Sequence, residues 1–257
     1  MKIATWNVNS IRTRKEHVST WLETYSPDVL AVQETKVVDE DFPTSDFESL
    51  GYRLYFTGQK SYNGVAIFSK CPGQDFDTTF PGYDESQRRF LALTVDDVRI
   101  VNVYVPNGSD IGTEKFEYKI QWLNTFTQWA HEEVKKHTEM IILGDFNIAP
   151  DDIDVYDPQS CADQILCSGE ERDSLSNLMG DTFHDVFRDF CPGVNGFSWW
   201  DYRYGAFRNN RGFRIDLILA TKSLVSECQH CEVDREPRML GKPSDHAPVF
   251  ARFSPSS

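Results

Sequence analysis

Carboxylate and amide side chains follow two short apolar runs in this chain. Glu34 comes directly after Val-Leu-Ala-Val-Gln at 29–33, and Asp145 and Asn147 come after Met-Ile-Ile-Leu-Gly at 140–144. Short aliphatic runs are typical of buried β-strands, so these polar groups should emerge at a sheet edge. Asp145 and Asn147 should point the same way if the backbone there stays extended. Oxygen groups of this kind are the ligands that Mg²⁺ and Mn²⁺ prefer.

Asn7 and Asn9 close a third such run, at 2–8, with the same alternate-residue spacing. A lone asparagine or glutamate at a strand end is often ordinary turn chemistry in solvent. It is the recurrence at several strand ends that predicts a shared metal site.

A carboxylate inside an apolar strand is the second signal. Asp216 stands between Ile215 and Leu-Ile-Leu at 217–219, and a buried carboxylate costs free energy unless it is hydrogen-bonded or neutralised. We predict that its partner is His246, because an Asp that orients a His recurs in hydrolytic sites. On the residues alone, Asp216 as the cap of a nearby backbone turn remains open.

Several enzyme classes lose their usual sequence support. The chain has no G-x-x-x-x-G-K-[ST], no G-x-G-x-x-G and no G-x-S-x-G, the motifs of nucleoside triphosphatases, dinucleotide enzymes and serine hydrolases. Cys228 and Cys231 form a C-x2-C, but a zinc site would need a second pair of ligands at comparable spacing. Metal-assisted hydrolysis of a phosphate ester is the chemistry that remains.

The formal net charge of -14 argues against unspecific attraction to nucleic acid. A bound cation would neutralise part of the acidic site, and basic residues can be concentrated locally. The stretch 203–214 carries four arginines before the first carboxylate at Asp216. It is a candidate phosphate-facing segment, with an ordinary solvated loop as an equally weighted alternative.

The periodicity along the chain predicts an α/β fold. Candidate strands lie at 2–8, 29–33, 52–56, 64–69, 90–95, 99–105, 140–143, 196–200, 215–220 and 247–253, and candidate helices at 12–24, 113–137 and 169–179. Strand-rich halves that each carry helices indicate two β-sheets packed face to face and covered outside by helices. We expect one domain over 1–253 and a tail at 254–257.

We further expect a cytoplasmic monomer that does not enter a membrane. The first residues turn polar too early for a signal peptide, and no apolar run is long enough to cross a bilayer. The six cysteines are scattered, so reduced thiols are expected.

Six short motifs in order resemble exonuclease III and its abasic-site endonuclease relatives. They are Trp-Asn-Val-Asn at 6–9, Gln-Glu-Thr-Lys at 33–36, Asn-Val-Tyr-Val-Pro-Asn at 102–107, Leu-Gly-Asp-Phe-Asn at 143–147, Arg-Gly-Phe-Arg-Ile-Asp at 211–216 and Ser-Asp-His-Ala-Pro at 244–248. The resemblance covers residues 2–253. It implies the fold of the endonuclease, exonuclease and phosphatase superfamily, a four-layer α-β-β-α sandwich of two mixed sheets.

The resemblance also implies roles for individual residues. Glu34 would be the main metal ligand, and the other residues of the implied metal shell are Asn7, Asp145, Asn147, Asp245 and His246. Asp145, with Asn147, would position or activate the attacking water. His246, held by Asp216, would act on the phosphate or as base, and Tyr104 would contact the phosphate or assist the leaving oxygen.

Substrate contacts follow from the same resemblance. Trp199 and Phe213 match positions that form an apolar pocket for a deoxyribose without its base, with core packing as the alternative. Arg89, Asn107 and Arg211 are candidate phosphate contacts. Two segments depart from the family pattern: the loop at 108–113 is short and acidic, and the segment at 151–168 diverges where relatives accommodate an internal abasic site.

The sequence thus predicts a Mg²⁺-dependent hydrolase of double-stranded DNA, with Mn²⁺ as a substitute. We expect 3′-5′ exonuclease and 3′-end cleaning activities, and abasic-site incision in base excision repair. Two alternatives stay open. One is a superfamily phosphatase on a phosphoinositide or sphingomyelin; the other is a non-catalytic DNA-binding protein, which the full set of site residues disfavours.

Overall fold

A computed structural model, which describes residues 1–83 and 85–254, contains two six-stranded β-sheets. The strands are β1 (Lys2–Asn7), β2 (Val29–Gln33), β3 (Arg53–Thr57), β4 (Val65–Ser69), β5 (Gln74–Asp77), β6 (Phe90–Val95), β7 (Val98–Tyr104), β8 (Met140–Asp145), β9 (Phe183–Asp185), β10 (Asp216–Thr221), β11 (Cys228–Val233) and β12 (Val249–Phe253). The first sheet has the order β11-β12-β1-β2-β4-β3 and the second β5-β6-β7-β8-β10-β9. Each sheet is mixed, since β1 and β2 are parallel, β7 and β8 are parallel, and the other pairs are antiparallel.

Helices cover the outer face of each sheet. The helices are α1 (Ile11–Tyr25), α2 (Thr44–Glu48), α3 (Glu114–Glu133), α4 (Pro158–Cys161), α5 (Gly169–Met179), α6 (Val186–Phe190) and α7 (Lys222–Ser226). Helix α1 packs its apolar side on the first sheet, and α3 and α5 pack on the second. The predicted four-layer α-β-β-α sandwich is therefore confirmed.

Central strands such as β2 and β8 read as nearly continuous apolar runs because both of their faces are buried. In β1, Ile3 lies in the core between the sheets, whereas Ala4 and Trp6 lie in the core under α1. In β8, Ile141 lies between the sheets and Ile142 lies under α3 and α5. A run with no polar alternation is what a strand covered on both faces requires.

A polar bridge crosses the otherwise apolar space between the sheets. Asn102 of β7 donates to Val32 O at 3.0 Å and to Ala66 O at 2.8 Å in the opposite sheet, and accepts from Gln33 Nε2 at 2.7 Å. All of these groups are buried. Because hydrogen bonds are directional, this bridge fixes one sheet relative to the other in a way that aliphatic contacts do not.

Three of the observed strands were not predicted, and each of them is a sheet edge: β5, β9 and β11. An edge strand has one neighbour and an open side, so it needs less apolar patterning than a central strand. Strand β5, for example, is exposed at every residue.

Two predicted elements were wrong in part. The segment 196–200 is not a strand: Trp199 makes only single bridges, to Phe213 and His246, which lie outside the strands of both sheets. The predicted helix at 113–137 ends at Glu133, and turns replace its last residues.

The predicted tail begins at Ser254, and its residues 255–257 lie outside the described part of the chain. No helix among residues 1–83 and 85–254 is both long and apolar enough to span a bilayer.

Candidate active site

The ends of β1, β2 and β8 bring three polar side chains together at one edge of the sandwich. Asn7 Nδ2 donates to Glu34 Oε1 at 2.8 Å and to Asp145 Oδ2 at 2.9 Å. Glu34 belongs to the first sheet and Asp145 to the second, so Asn7 joins carboxylates from both. Its own oxygen accepts from Asn9 N at 3.0 Å, which turns the amide group toward the carboxylates.

A tight backbone turn follows each of the two carboxylate strands. Glu34 has a φ of 54° and Asn147 has a φ of 49°, both in the left-handed region. Gly144 precedes Asp145, and a Cβ there would lie 1.9 Å from Val103 O. Only glycine therefore permits β7 and β8 to come this close just before the acidic residue.

The carboxylates and one imidazole form a cluster that could hold a metal ion. One ligand atom from each of Glu34, Asp145 and His246 lies within 4.8 Å of the other two. Two carboxylates give hard oxygen ligands of the kind that Mg²⁺ and Mn²⁺ prefer. The donor set therefore fits the cation predicted from the sequence.

Lys36 was not singled out in the sequence, although it lies in one of the motifs. Its ammonium group lies 2.6 Å from Glu34 Oε2 and donates to Asn9 Oδ1 at 2.5 Å. The positive charge offsets part of the acidic cluster and fixes Glu34 from the side opposite Asn7.

The predicted contact between Asp216 and His246 is present. His246 Nδ1 lies 2.8 Å from Asp216 Oδ2, and Nε2 lies 3.7 Å from Asp145 Oδ2. Burial alone would lower the pKa of His246, but the charges of Asp216 and Asp145 raise it from 6.5 to about 10. The ring is thus fixed through Nδ1, and Nε2 faces the acidic cluster.

Ser198, which the sequence did not indicate, supports this pair. Its Oγ donates to Asp216 Oδ2 at 2.6 Å and accepts from Asp216 N at 3.1 Å. Asp216 Oδ1 is buried without a hydrogen-bond partner among the described residues. The alternative in which the Asp216 carboxylate caps a backbone turn was wrong, because its partners are a histidine and a serine side chain.

Asp145 is held in place by the residues that follow it. Its Oδ1 accepts from Asn147 N at 2.9 Å, and Asn147 Nδ2 in turn donates to Val105 O at 3.0 Å. Asn107 Nδ2 donates to Asn147 Oδ1 at 3.0 Å, so Asn107 also lies at the site. Burial and the charge of Asp216 raise the pKa of Asp145 to about 7, although His246 opposes the shift.

Asp245 lies beside the cluster with both oxygens occupied by side chains. Oδ1 accepts from Asn9 Nδ2 at 2.9 Å, and Oδ2 accepts from Trp199 Nε1 at 3.0 Å. Burial would raise the pKa of Asp245, but His246 and these hydrogen bonds hold it below its ordinary value.

Tyr104 and Arg89 are two further polar residues beside the acidic cluster. Tyr104 lies beside Glu34, and both burial and this neighbouring charge raise the pKa of its hydroxyl. The Arg89 guanidinium group stacks 4.6 Å from the Tyr104 ring centroid and donates to the Tyr104 carbonyl at 3.2 Å. Arg89 therefore positions the tyrosine that we predicted to contact phosphate.

An aromatic pair lies next to the acidic cluster. The rings of Trp199 and Phe213 are 5.6 Å apart between centroids, and both are partly exposed. The divergent segment 151–168 contributes Tyr156, whose ring meets Phe213 edge-on at 5.6 Å, and Ile165, which packs on the same cluster. Neither Tyr156 nor Ile165 was identified from the sequence.

The arginines of the stretch 203–214 lie in different environments. Arg214 is buried and forms ion pairs with Asp154 at 2.6 Å and Asp185 at 2.7 Å. Its carboxylate partners lie far away in sequence, which is why the local pattern left it unpaired. Arg203 pairs with Asp201 at 2.7 Å. Arg211 is exposed and donates to Tyr204 O at 2.6 Å, with no contact to the acidic cluster.

Comparison with known proteins defines the class to which this fold and site belong. The model of the endonuclease/exonuclease/phosphatase family matches residues 4–246. The chain therefore belongs to the endonuclease/exonuclease/phosphatase family.

Particular relatives narrow the comparison. Exodeoxyribonuclease III of Haemophilus influenzae is 35% identical to this chain, covering 98% of it and 100% of the relative. A 3′-phosphatase from Neisseria, solved with a product DNA hairpin, superimposes with a TM-score of 0.97 at 41% identity and covers 99% of each chain. An abasic-site endonuclease from Archaeoglobus fulgidus gives a TM-score of 0.95 at 37% identity, covering 98% of this chain and 99% of the other.

Proposed function

We propose that this chain is a Mg²⁺-dependent DNA repair phosphodiesterase. It would act on double-stranded DNA as a 3′-5′ exonuclease, clean blocked 3′ ends as a phosphatase or phosphodiesterase, and incise abasic sites in base excision repair. The strongest support is that Glu34, Asp145 and His246 form one cluster beside the Trp199–Phe213 pair. The three relatives described above are named as an exodeoxyribonuclease, a 3′-phosphatase and an abasic-site endonuclease.

Glu34 and Asp145 would hold the cation, with His246, Asp245, Asn7 and Asn147 around it. The bound cation would neutralise phosphate charge and polarise the ester. We assign positioning of the attacking water to Asp145, because its Oδ1 is fixed by the Asn147 N–H at 2.9 Å. We assign the phosphate oxygens to His246 Nε2 and the Tyr104 hydroxyl, which are aimed by Asp216 and Arg89.

The Trp199–Phe213 pair would receive a sugar that lacks its base. The pair is apolar and partly exposed, and Asp245 holds the Trp199 indole toward the acidic cluster. Asn107 and Arg211 would contact phosphates at the rim. The proposal includes residues 1–253 as one catalytic domain, Mn²⁺ as a substitute cation, and a monomer in the cytoplasm.

Cleavage of two labelled duplexes tests the proposal. The first carries one internal abasic site and protected 3′ ends; the second is undamaged, with free 3′ ends. With Mg²⁺, incision at the lesion would establish an abasic-site endonuclease, whereas stepwise shortening of the second duplex would establish a 3′ exonuclease. The His246→Asn variant, purified in the same way, controls for contaminating nucleases.

The alternative superfamily function predicts a different result. Release of phosphate from a phosphoinositide or of phosphocholine from sphingomyelin, with neither duplex cleaved, would replace the DNA proposal. A 3′-phosphorylated duplex in the same assay separates end cleaning from exonuclease activity.

A further inference from the structure

A lysine and a glutamate are buried together beneath the candidate site. Lys119 lies on α3 and Glu171 lies in the first turn of α5, and neither side chain is exposed to solvent. The Lys119 ammonium group donates directly to the Glu171 carboxylate. Two ions this far from water are costly to bury unless their remaining hydrogen-bonding capacity is satisfied.

The Lys119 ammonium group also donates hydrogen bonds to the backbone carbonyls of two site residues. Its Nζ donates to Asn147 O at 2.7 Å and to Asn107 O at 3.1 Å. An ammonium group has three N–H donors, so all three are occupied. Asn107 and Asn147 are also joined through their side chains, and one buried cation thus fixes both residues.

The Glu171 carboxylate also accepts hydrogen bonds from the segment beside the Trp199–Phe213 pair. Its Oε1 accepts from Leu166 N at 3.1 Å, and its Oε2 accepts from Ser168 N at 3.1 Å and Ser168 Oγ at 2.7 Å. Leu166 packs in the cluster that contains Trp199 and Phe213. The two ends of the ion pair therefore hold two different parts of the site.

A purely structural role would be to join α3 to α5, which contact each other. An apolar pair of the same volume would do that equally well, since replacing a buried ion pair by apolar residues is often neutral or stabilising. An apolar pair would not bind the carbonyls of Asn107 and Asn147 or the N–H groups of Leu166 and Ser168. Hydrogen bonds to these backbone groups are therefore what the charged pair provides and an apolar pair would not.

From these contacts we infer that the Lys119–Glu171 pair is a positioning element: it holds Asn147 in register with Asp145 and couples it to the segment at 166–168. The inference rests on the proposed function for its effect on catalysis. Neither Lys119 nor Glu171 makes a hydrogen bond to the side chains of the Glu34–Asp145–His246 cluster or of the Trp199–Phe213 pair. The ion pair would therefore act only through the residues that it holds.

Lys119→Met tests the inference through kinetics. Outer partners that orient a catalytic ligand typically contribute about 10–100-fold to activity, so we expect a loss of that size in kcat with KM little changed. Lys119 acts on Asp145 through the backbone of residue 147, so in an Asp145→Ala background, measured under single-turnover conditions, the same substitution should cost little more. An equal fold-loss in both backgrounds would overturn the inference, because the lysine would then not act through the position of Asp145.

Arg99→Met is the matched control. Arg99 is equally buried and pairs with Glu133, at the other end of the same helix α3. It lies at the start of β7, five residues before Tyr104 and thus roughly 17 Å from the site. This variant should lose stability as Lys119→Met does but keep kcat, measured below the melting temperature of both.

Hydrogen exchange gives a readout that does not depend on any DNA substrate. In Lys119→Met, peptides over 145–149 and 165–168 should exchange faster than in the parent protein, and in Arg99→Met they should not. Unchanged exchange in Lys119→Met, or an equal increase in both variants, would overturn the inference. If the parent protein cleaves no DNA, the proposed function fails while this measurement still decides the positioning role.

Should Lys119→Met fail to fold, Lys119→Met with Glu171→Gln removes both buried charges. That double variant should fold, because no unpaired ion remains, and still show faster exchange at 145–149. Parent-like exchange and parent-like kcat in the double variant would count against the inference.

Discussion

His246 depends on Asp216 for both its orientation and its charge. The imidazole is buried, and Asp216 at 2.8 Å is the partner that fixes Nδ1. Ser198 fixes Asp216 in turn. The three residues form a chain of hydrogen bonds in which the loss of one member disables the next.

We therefore expect Asp216→Asn and His246→Asn to act as one unit. Each should lower kcat by about 10²–10⁴-fold, the usual range for a positioned proton-transfer group, and the double variant should be little worse than either. His184→Asn is the control, because His184 forms a more exposed pair with Asp189 at 3.6 Å. Losses that multiply in the double variant would refute the pairing.

Glu34 should carry most of the metal dependence. Glu34→Gln keeps the shape but removes a charged ligand, so kcat should fall by at least about 100-fold and the Mg²⁺ requirement should rise. The control is Glu40→Gln, an exposed glutamate. Titration of activity against Mg²⁺ checks the prediction, and parent-like activity at limiting Mg²⁺ would contradict the assignment.

The shifted pKa of Asp145 predicts how Mg²⁺ binding varies with pH. Its folded pKa is raised from 3.8 to about 7. The stabilisation from its bound proton is therefore present in full below pH 3.8 and lost as the pH rises through about 7. Mg²⁺ needs the ionised group, so affinity should weaken below pH 7 by up to about tenfold per pH unit. Calorimetry at pH 6 and pH 8 checks this, and a pH-independent affinity would contradict it.

At the scale of elements, two sheets must stay in register for the site to exist. Glu34 follows β2, Asp145 ends β8, and aliphatic packing between the sheets is not directional. The bridge from Asn102 to Val32 O, Ala66 O and Gln33 lies immediately below these strand ends. Together with Asn7, which joins Glu34 to Asp145, this bridge gives the directional contacts that align Glu34 with Tyr104.

Asn102→Leu should therefore lower both stability and activity. The change removes three buried hydrogen bonds and leaves the Gln33 amide short of a partner, which should lower the free energy of unfolding by about 1–3 kcal/mol. The folded variant should also lose kcat. Asn124→Leu, on the exposed side of α3, is the control. Urea unfolding with kinetics well below the midpoint checks both effects; unchanged kcat would limit the bridge to stability.

At the scale of the molecule, the net charge of -14 opposes DNA binding. Lys36 neutralises part of the negative charge of the acidic cluster. Arg214 is buried in internal ion pairs and is not available to DNA. Phosphate contacts thus depend on a few exposed cations near the site, of which Arg211 is one.

Arg211→Glu should weaken DNA binding without changing the chemistry. We expect KM to rise, kcat to stay near the parent value, and the slope of log affinity against log salt to fall by about one. Arg252→Glu makes the same charge change at the far end of the first sheet, where Arg252 of β12 lies opposite Lys2 of β1 in the strand register, and should have a smaller effect. Equal effects of the two variants would show that only net charge matters.

The sequence by itself determined the central strands and the residues that end them. Runs such as 29–33 and 140–144 are apolar because strands covered on both faces must be, and a polar residue at their end is visible without knowing the fold. Asp216 was conspicuous for the same reason, as a charge inside an apolar strand. The motif order was enough to indicate the family.

Tertiary structure alone decided which of these residues touch. Ser198 reaches Asp216, Lys119 reaches Asn147 and Asp154 reaches Arg214 across 18, 28 and 60 residues of chain. No local periodicity encodes such contacts, because they depend on how sheets and helices pack against one another. The same holds for the edge strands and for Trp199, whose place is set by bridges to Phe213 and His246, 14 and 47 residues further along the chain. Local patterns report burial and strand ends, whereas pairing across the fold is fixed only when distant elements meet.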